Sequence, residues 1–178
     1  MQVLVAVASR HGSTREIAEA IADELRSGGH RVDVRDPDEV EDPSGYDAVV
    51  LGSSVYVGRW SASARALVDR LAATYSDRPV WLFSSGPVGR QPVPSDDPEE
   101  VPSLLTRLAA RGHRTFAGRL DHGCLTLAER AVVSLVRAQA GDFRVWPEVA
   151  RWARDISDAL HTEDARRVRR GPLRLARG

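Results

Sequence analysis

Val3-Leu4-Val5-Ala6-Val7-Ala8-Ser9-Arg10-His11-Gly12-Ser13-Thr14 stands almost at the start of the 178-residue chain. Six consecutive apolar residues predict a strand buried on both faces, because a half-exposed strand would alternate. The run then breaks into small polar residues around Gly12. A helical pattern follows at once, with Ile17, Ala18, Ile21 and Leu25 spaced by three and four, and Ser27-Gly28-Gly29 stops it. A buried strand, a hydroxyl-rich loop and an amphipathic helix form one βα unit, and its loop lies where such units hold ligands.

The same unit recurs outward from this one. Arg31–Arg35 alternates around Val32 and Val34 and reads as a strand with one open face or an edge. The stretch 36–45 is rich in Pro and acid, a loop or short helix. Asp47–Gly52 is a second buried strand, followed by the loop 53–59 and a helix from Ser61 to Tyr75 carrying Ala64, Leu67, Val68 and Leu71 on one face. Pro79–Phe83 is a third buried strand, ending in 84–89. Residues 90–102 form an irregular loop. Ser103–Arg111 reads as a helix stopped by Gly112, and Thr115–Leu120 as the last strand. Helical stretches at 125–139 and Trp146–Leu160 close the pattern. This order predicts an α/β fold: a doubly wound, five-stranded parallel sheet in the order 2-1-3-4-5, with helices on both faces. The expected boundaries are one domain over 1–162 and an Arg-rich disordered tail over 163–178.

Composition narrows the function. Hydrophobic residues make up 42% and charged residues 28%, ordinary for a globular domain. The longest apolar runs are too short to span a bilayer, and the N-terminus lacks the pattern of a signal peptide, so a cytoplasmic location is expected. One cysteine, Cys124, excludes an internal disulfide and a multi-cysteine metal cluster; no metal site is expected. The net charge is zero, and all 25 basic residues are Arg. Residues 161–178 hold six Arg against Glu163 and Asp164, which is +4, leaving −4 on the rest. A mildly acidic body argues against nucleic-acid binding. The basic tail is read as a solvated end, with contact to RNA or an anionic lipid surface as the alternative.

The loops carry the chemistry. Ser9, Ser13 and Thr14 surround Gly12 at a helix start, where free N–H groups and the helix dipole favour an anion, so the loop suits a phosphate. Plain N-capping by Ser13 or Thr14 is the competing reading, and it needs only one of these residues. Other phosphate loops do not fit. A P-loop needs Lys, G-x-G-x-x-G is absent, and the strand end Ala8-Ser9 supplies neither a nucleophilic Cys nor an acidic cluster. In the second loop, Ser53-Ser54-Val55-Tyr56-Val57-Gly58, Tyr56 can wall a planar ring and Gly58 can take an unusual backbone angle. Trp60 is either a second wall or a core anchor of the next helix. The third loop, Ser84-Ser85-Gly86-Pro87-Val88-Gly89, has the same small character and suits the ring's other edge.

These motifs carry a resemblance. Ser9–Thr14 is similar to the flavodoxin phosphate loop, Ser/Thr-x-Ser/Thr-Gly-x-Thr, with His11 where a hydroxyl residue is commoner. Ser9-Arg10-His11-Gly12-Ser13-Thr14-Arg15-Glu16-Ile17-Ala18, then Tyr46-Asp47-Ala48-Val49-Val50-Leu51-Gly52-Ser53-Ser54-Val55-Tyr56-Val57-Gly58, resembles the menaquinone-dependent protoporphyrinogen IX dehydrogenase group of that family. So do Phe116-Ala117-Gly118-Arg119-Leu120 and Asp142–Val149 with Trp152-Ala153. The resemblance implies non-covalent FMN, with Ser9, Arg10, His11, Gly12, Ser13 and Thr14 around its phosphate. It places Ser53–Gly58 and Ser84–Gly89 around the isoalloxazine, with Tyr56 at the stacking position. The flavin is then the redox centre and no side chain need act as acid or base.

Three functions are open at this point. One is an FMN-dependent oxidoreductase that oxidises protoporphyrinogen IX in heme biosynthesis, with a small-molecule or quinone acceptor and peripheral contact with the membrane. Another is an electron carrier serving a redox protein partner, and the third an apo partner-binding module. The stretch 125–139 is apolar and is either a dock for a quinone, a membrane or a second subunit, or a helix packed on the sheet. Cys124 reads as a small buried hydrophobe or a thiol activated at a helix start. His122 is a candidate proton donor to substrate. His30, His113 and His161 fall at element ends and read as solvated. Trp81 reads as core, and one of Trp146 and Trp152 as a staple of the last helix.

Overall fold

The computed structural model describes residues 1–56, 58–75, 77–86, 97–120 and 141–170. Five strands form its central sheet: β1 (Gln2–Ala8), β2 (Arg31–Arg35), β3 (Ala48–Tyr56), β5 (Val80–Ser85) and β6 (Gly112–Phe116). They lie side by side as β2-β1-β3-β5-β6, all pairs parallel. This is the expected 2-1-3-4-5 order. A two-residue strand, β4 (Arg59–Trp60), folds back antiparallel on the end of β3.

The helices are α1 (Ser13–Ser27), α2 (Ala62–Thr74), α3 (Val101–Leu108) and α4 (Trp146–Arg170). One core lies between the sheet and α1 with α4, built from Val3, Val5, Val7, Ile17, Ile21, Val50, Phe83, Ile156 and Leu160. The opposite core joins Leu4, Ala6, Leu51 and Leu82 to Leu67, Val68 and Leu71 of α2 and Leu104 of α3. Successive residues of β1 thus feed opposite cores, which is why its sequence shows no alternation. Gly52 lets the sheet close around an aromatic ring, since a Cβ there would stand 2.0 Å from the Phe83 ring. Trp152 stacks edge-on against Phe83 and Phe116, with centroids 6.1 and 5.6 Å away, and staples α4 to the sheet. Trp81 is buried, as expected.

Four expectations are corrected. The helix read as Ser103–Arg111 occupies Val101–Leu108, because Ala109 turns left-handed at φ +46° and ends it; Gly112, read as its stop, begins β6. The strand read as Thr115–Leu120 is β6 followed by a separate β7 (Arg119–Leu120), which pairs with β8 (Gly141–Asp142) instead of the sheet. The last helix runs ten residues beyond Leu160, so 163–170 belong to α4 and not to a disordered tail. Ion pairs of Glu163 with Arg111 at 2.6 Å and of Arg167 with Asp47 at 3.1 Å tie that extension to the body. Finally, His30 is 6% exposed and the His113 side chain 3%, so neither is solvated; His161 is exposed. The helix expected at 125–139, with His122 and Cys124, and the tail 171–178 lie outside the described residues.

Candidate functional site

The carboxyl ends of β1, β3 and β5 meet at one edge of the domain. The β1–α1 loop supplies Gly12 with φ +83°, the left-handed region that glycine enters at no steric cost. Gly12 is the N-cap of α1 and has no side chain with which to cap it, and Ser13 and Thr14 lie inside the helix. Capping by Ser13 or Thr14 is therefore not what these hydroxyls do. Ser13 Oγ instead accepts the backbone N–H of Arg119 at 3.0 Å, and Thr14 is 3% exposed. Ser9 Oγ is buried and, among the described residues, has no hydrogen-bond partner. An orphaned buried hydroxyl beside uncapped helix N–H groups is a cradle that a phosphate completes. The loop therefore fits the terminal phosphate of a flavin mononucleotide.

A charge cluster that sequence reasoning missed braces this loop. Arg144, its side chain 3% exposed, reaches Asp142 at 2.6 Å and Glu16 at 2.7 Å, and Arg119 reaches Glu16 at 3.1 Å. The Arg144 guanidinium also lies 4.5 Å over the Trp146 ring. Hydrogen bonds from Arg144 hold the Asp142 carboxyl down at a pKa of about 2. The partners are separated by up to 128 residues, and no local pattern marks them.

The β3–β4 hairpin forms the second wall. Tyr56 is 41% exposed at its tip, and the Arg10 guanidinium from the first loop lies 4.8 Å over its ring. Gly58 turns the hairpin with φ +74°. Trp60 is 2% exposed, so it anchors the core side of the hairpin and leaves the open wall to Tyr56. A cleft of about 420 Å³ opens here, with Ser9, Arg10, Ser54, Tyr56 and Arg59 on its lining and Asp36 and Asp38 opposite.

The third loop is described as far as Gly86, whose N–H reaches the Phe116 carbonyl at 3.3 Å. Two expected ligand hydroxyls point elsewhere. Ser53 and Ser84 are both fully buried. Ser53 Oγ accepts the Ser61 N–H at 2.9 Å, and Ser84 Oγ accepts the Trp60 indole N–H at 2.9 Å. Ser85 is 2% exposed, Ser54 and Val55 are half-buried, and His11 is exposed. Val57, Pro87, Val88 and Gly89 lie outside the described residues.

His113 stands behind Ser84, with Nε2 2.8 Å from Ser84 Oγ and Nδ1 3.2 Å from Asp97 Oδ1. This serine–histidine–aspartate row has the spacing of an activated nucleophile, but a fully buried Ser84 cannot meet a substrate. Burial pushes the His113 pKa down, and Asp97 opposes it.

Comparison with known proteins agrees with the fold. The chain belongs to the flavodoxin domain family, which it matches over residues 4–144. It is 27% identical over 173 residues to protoporphyrinogen IX dehydrogenase (quinone) of Escherichia coli K12, covering 88% of this chain and 95% of that one. Among solved structures it is similar to a flavodoxin from the domain Archaea, with TM-score 0.63 and 16% identity over 90% of this chain and 99% of that one. Rubredoxin oxygen:oxidoreductase from Desulfovibrio gigas gives TM-score 0.66 and 14% identity over 92% of this chain, but only 37% of its own length. The protein is a flavodoxin-type flavoprotein, and FMN is its cofactor.

Proposed function

We propose that this flavoprotein is an oxidoreductase that takes hydrogen from a reduced tetrapyrrole of the protoporphyrinogen IX kind and delivers the electrons to a quinone. The observation that carries the reading is the end-to-end match to a quinone-linked protoporphyrinogen IX dehydrogenase, 88% of one chain against 95% of the other. A phosphate cradle with its own orphaned hydroxyl supports it.

In this reading the N–H groups of Ser13 and Thr14, with the Ser9 and Thr14 hydroxyls, bind the FMN phosphate at the positive end of α1. Arg10, His11 and Gly12 shape the same loop. Ser54, Val55, Tyr56, Val57 and Gly58 face one side of the ring system, and Tyr56 excludes water from it. Ser85, Gly86, Pro87, Val88 and Gly89 border the other edge, while Ser53 and Ser84 support the two loops from beneath. When bound, FMN supplies the electron-accepting chemistry. The open cleft beside Tyr56 gives a bulky planar substrate or a quinone a route to the same edge. Among the described residues no helix is long and apolar enough to cross a membrane. Access to a membrane quinone would then be peripheral, from the cytoplasmic side.

The test is turnover by the FMN-loaded protein under anaerobic conditions with protoporphyrinogen IX and menaquinone, read as porphyrin fluorescence. Porphyrin should form only when both FMN and quinone are present. Reduced protein that ignores quinone but reduces a redox protein would favour an electron carrier and contradict this reading.

A further inference from the structure

The β3–β4 hairpin extends from the end of the sheet, and polar bonds to other elements hold its returning limb. The Ser61 N–H donates to Ser53 Oγ at the base, and the Trp60 indole N–H donates to Ser84 Oγ across to β5. The second bond joins two loops assigned to the flavin ring. An indole N–H is only a donor, so Ser84 Oγ accepts from it, and its hydroxyl stands 2.8 Å from His113 Nε2, which accepts the serine proton when the ring carries its own proton on Nδ1. In the tautomer that lets Ser84 donate, His113 is unprotonated at Nε2 and carries its proton on Nδ1, on the side of Asp97. Among the described residues Nδ1 finds no partner in hydrogen-bond geometry, so Asp97 at 3.2 Å acts on it electrostatically. The Thr115 hydroxyl fixes Asp97 from the next residue on the same face of β6, at 2.8 Å.

We propose that His113 is a positioning residue for the FMN ring: it orients the Ser84 hydroxyl, which through the Trp60 indole sets the distance between the β3–β4 hairpin and the end of β5. This rests on the assignment of those two loops to the ring. Protonation of His113 would place an N–H at Nε2 facing Ser84. The serine proton would then lose its acceptor at a site with no access to water, and the lock would reverse. The charged groups beside the cluster are Asp97 and, three residues further along the chain, Glu100, which accepts the Trp60 backbone N–H. Of the elements packed on β6, β5 carries no charged residue and the buried residues of α3, Val101 and Leu104, are apolar.

The test measures FMN dissociation by flavin fluorescence at pH 7.5 and 5.5, with the full chain as His113→Leu, His113→Gln and Ser84→Ala. Loss of the acceptor in His113→Leu should weaken FMN binding about tenfold at pH 7.5, the scale of one buried polar group left unpaired. Gln places an acceptor near the Nε2 position, so His113→Gln should bind within about threefold of wild type at pH 7.5. It should also lack the extra weakening that wild type shows at pH 5.5. A merely structural histidine would lower stability without this rescue or this pH difference. Ser84→Ala makes a smaller change and decides the matter should His113→Leu fail to fold. Unchanged FMN affinity in the folded variants, or a His113→Gln no better than His113→Leu, overturns the proposal. Wild type that binds no FMN overturns it together with the loop assignment, whereas native binding insensitive to these changes overturns the positioning role alone.

Discussion

The Arg10 guanidinium lies 4.8 Å over the Tyr56 ring, so the first residue beyond the β1–α1 hydroxyl Ser9 touches the tip of the β3–β4 hairpin. The β1–α1 loop and the β3–β4 hairpin are thereby joined across the mouth of the cleft. Tyr56→Ala removes both a stacking surface and this cation–π contact, each worth on the order of 1 kcal/mol. FMN should bind roughly tenfold more weakly, and the bound flavin should regain fluorescence. A fluorescence titration of wild type and variant checks this.

A Gly12→Ala variant tests phosphate binding apart from ring binding. The φ of +83° at Gly12 is strained for any residue with a Cβ, although open space surrounds the position. Gly12→Ala should cost about 1–2 kcal/mol of stability and disturb the N–H groups of α1. It should weaken FMN while leaving riboflavin, which has no phosphate, nearly unaffected. Parallel titrations with the two flavins give the ratio directly.

Gly52→Ala tests packing far more than chemistry. The added methyl would fall 2.0 Å from a Phe83 ring held between Phe116 and Trp152. Overpacking of this kind costs about 1–3 kcal/mol or more. A lower urea midpoint with an unchanged slope is expected, and Gly52→Ala with Phe83→Leu should recover part of the loss.

His30 makes stability pH-dependent at the end of the domain away from the site. It lies 4.7 Å from the His161 ring, and its Nε2 is 3.1 Å from Ser157 Oγ. Burial, then His161, lowers its pKa below 6.5; the N-terminus acts in the same direction, while Ser157 and Asp164 oppose. With the folded pKa below the unfolded one, the unfolded chain binds more protons in that interval, so stability rises with pH. The contribution is complete above about 6.5 and is lost as pH falls towards the folded pKa. Urea unfolding at pH 7.5 and 5.5 should show wild type losing stability at the lower pH, and His30→Gln losing less.

Much of the fold can be read directly from β1, α1 and β3, because a buried parallel strand is a continuous apolar run and its helix repeats every three to four residues. The proposed cradle lies on a short stretch for the same reason: Ser9, Gly12 and Thr14 fall within six residues, and their placement follows from one helix start. What was not legible depends on distance. The Glu16–Arg119–Asp142–Arg144 cluster joins three segments, and nothing near Arg144 shows that its side chain is enclosed. His113 and His30 looked solvated because they flank strands, yet each is covered by a segment remote in sequence. The end of α3 misled for a local reason. Gly112 invited the role of stop signal, and Ala109 took the left-handed turn that glycine usually takes.

The most direct measurement is the absorption spectrum of the protein after FMN is added and dialysed away, for wild type and for Ser9→Ala with Thr14→Ala. Flavin bands near about 370 and 450 nm should survive dialysis in wild type and be lost in the double variant. A colourless wild type, or a double variant that keeps its flavin as firmly, would contradict a cofactor cradle at the start of α1.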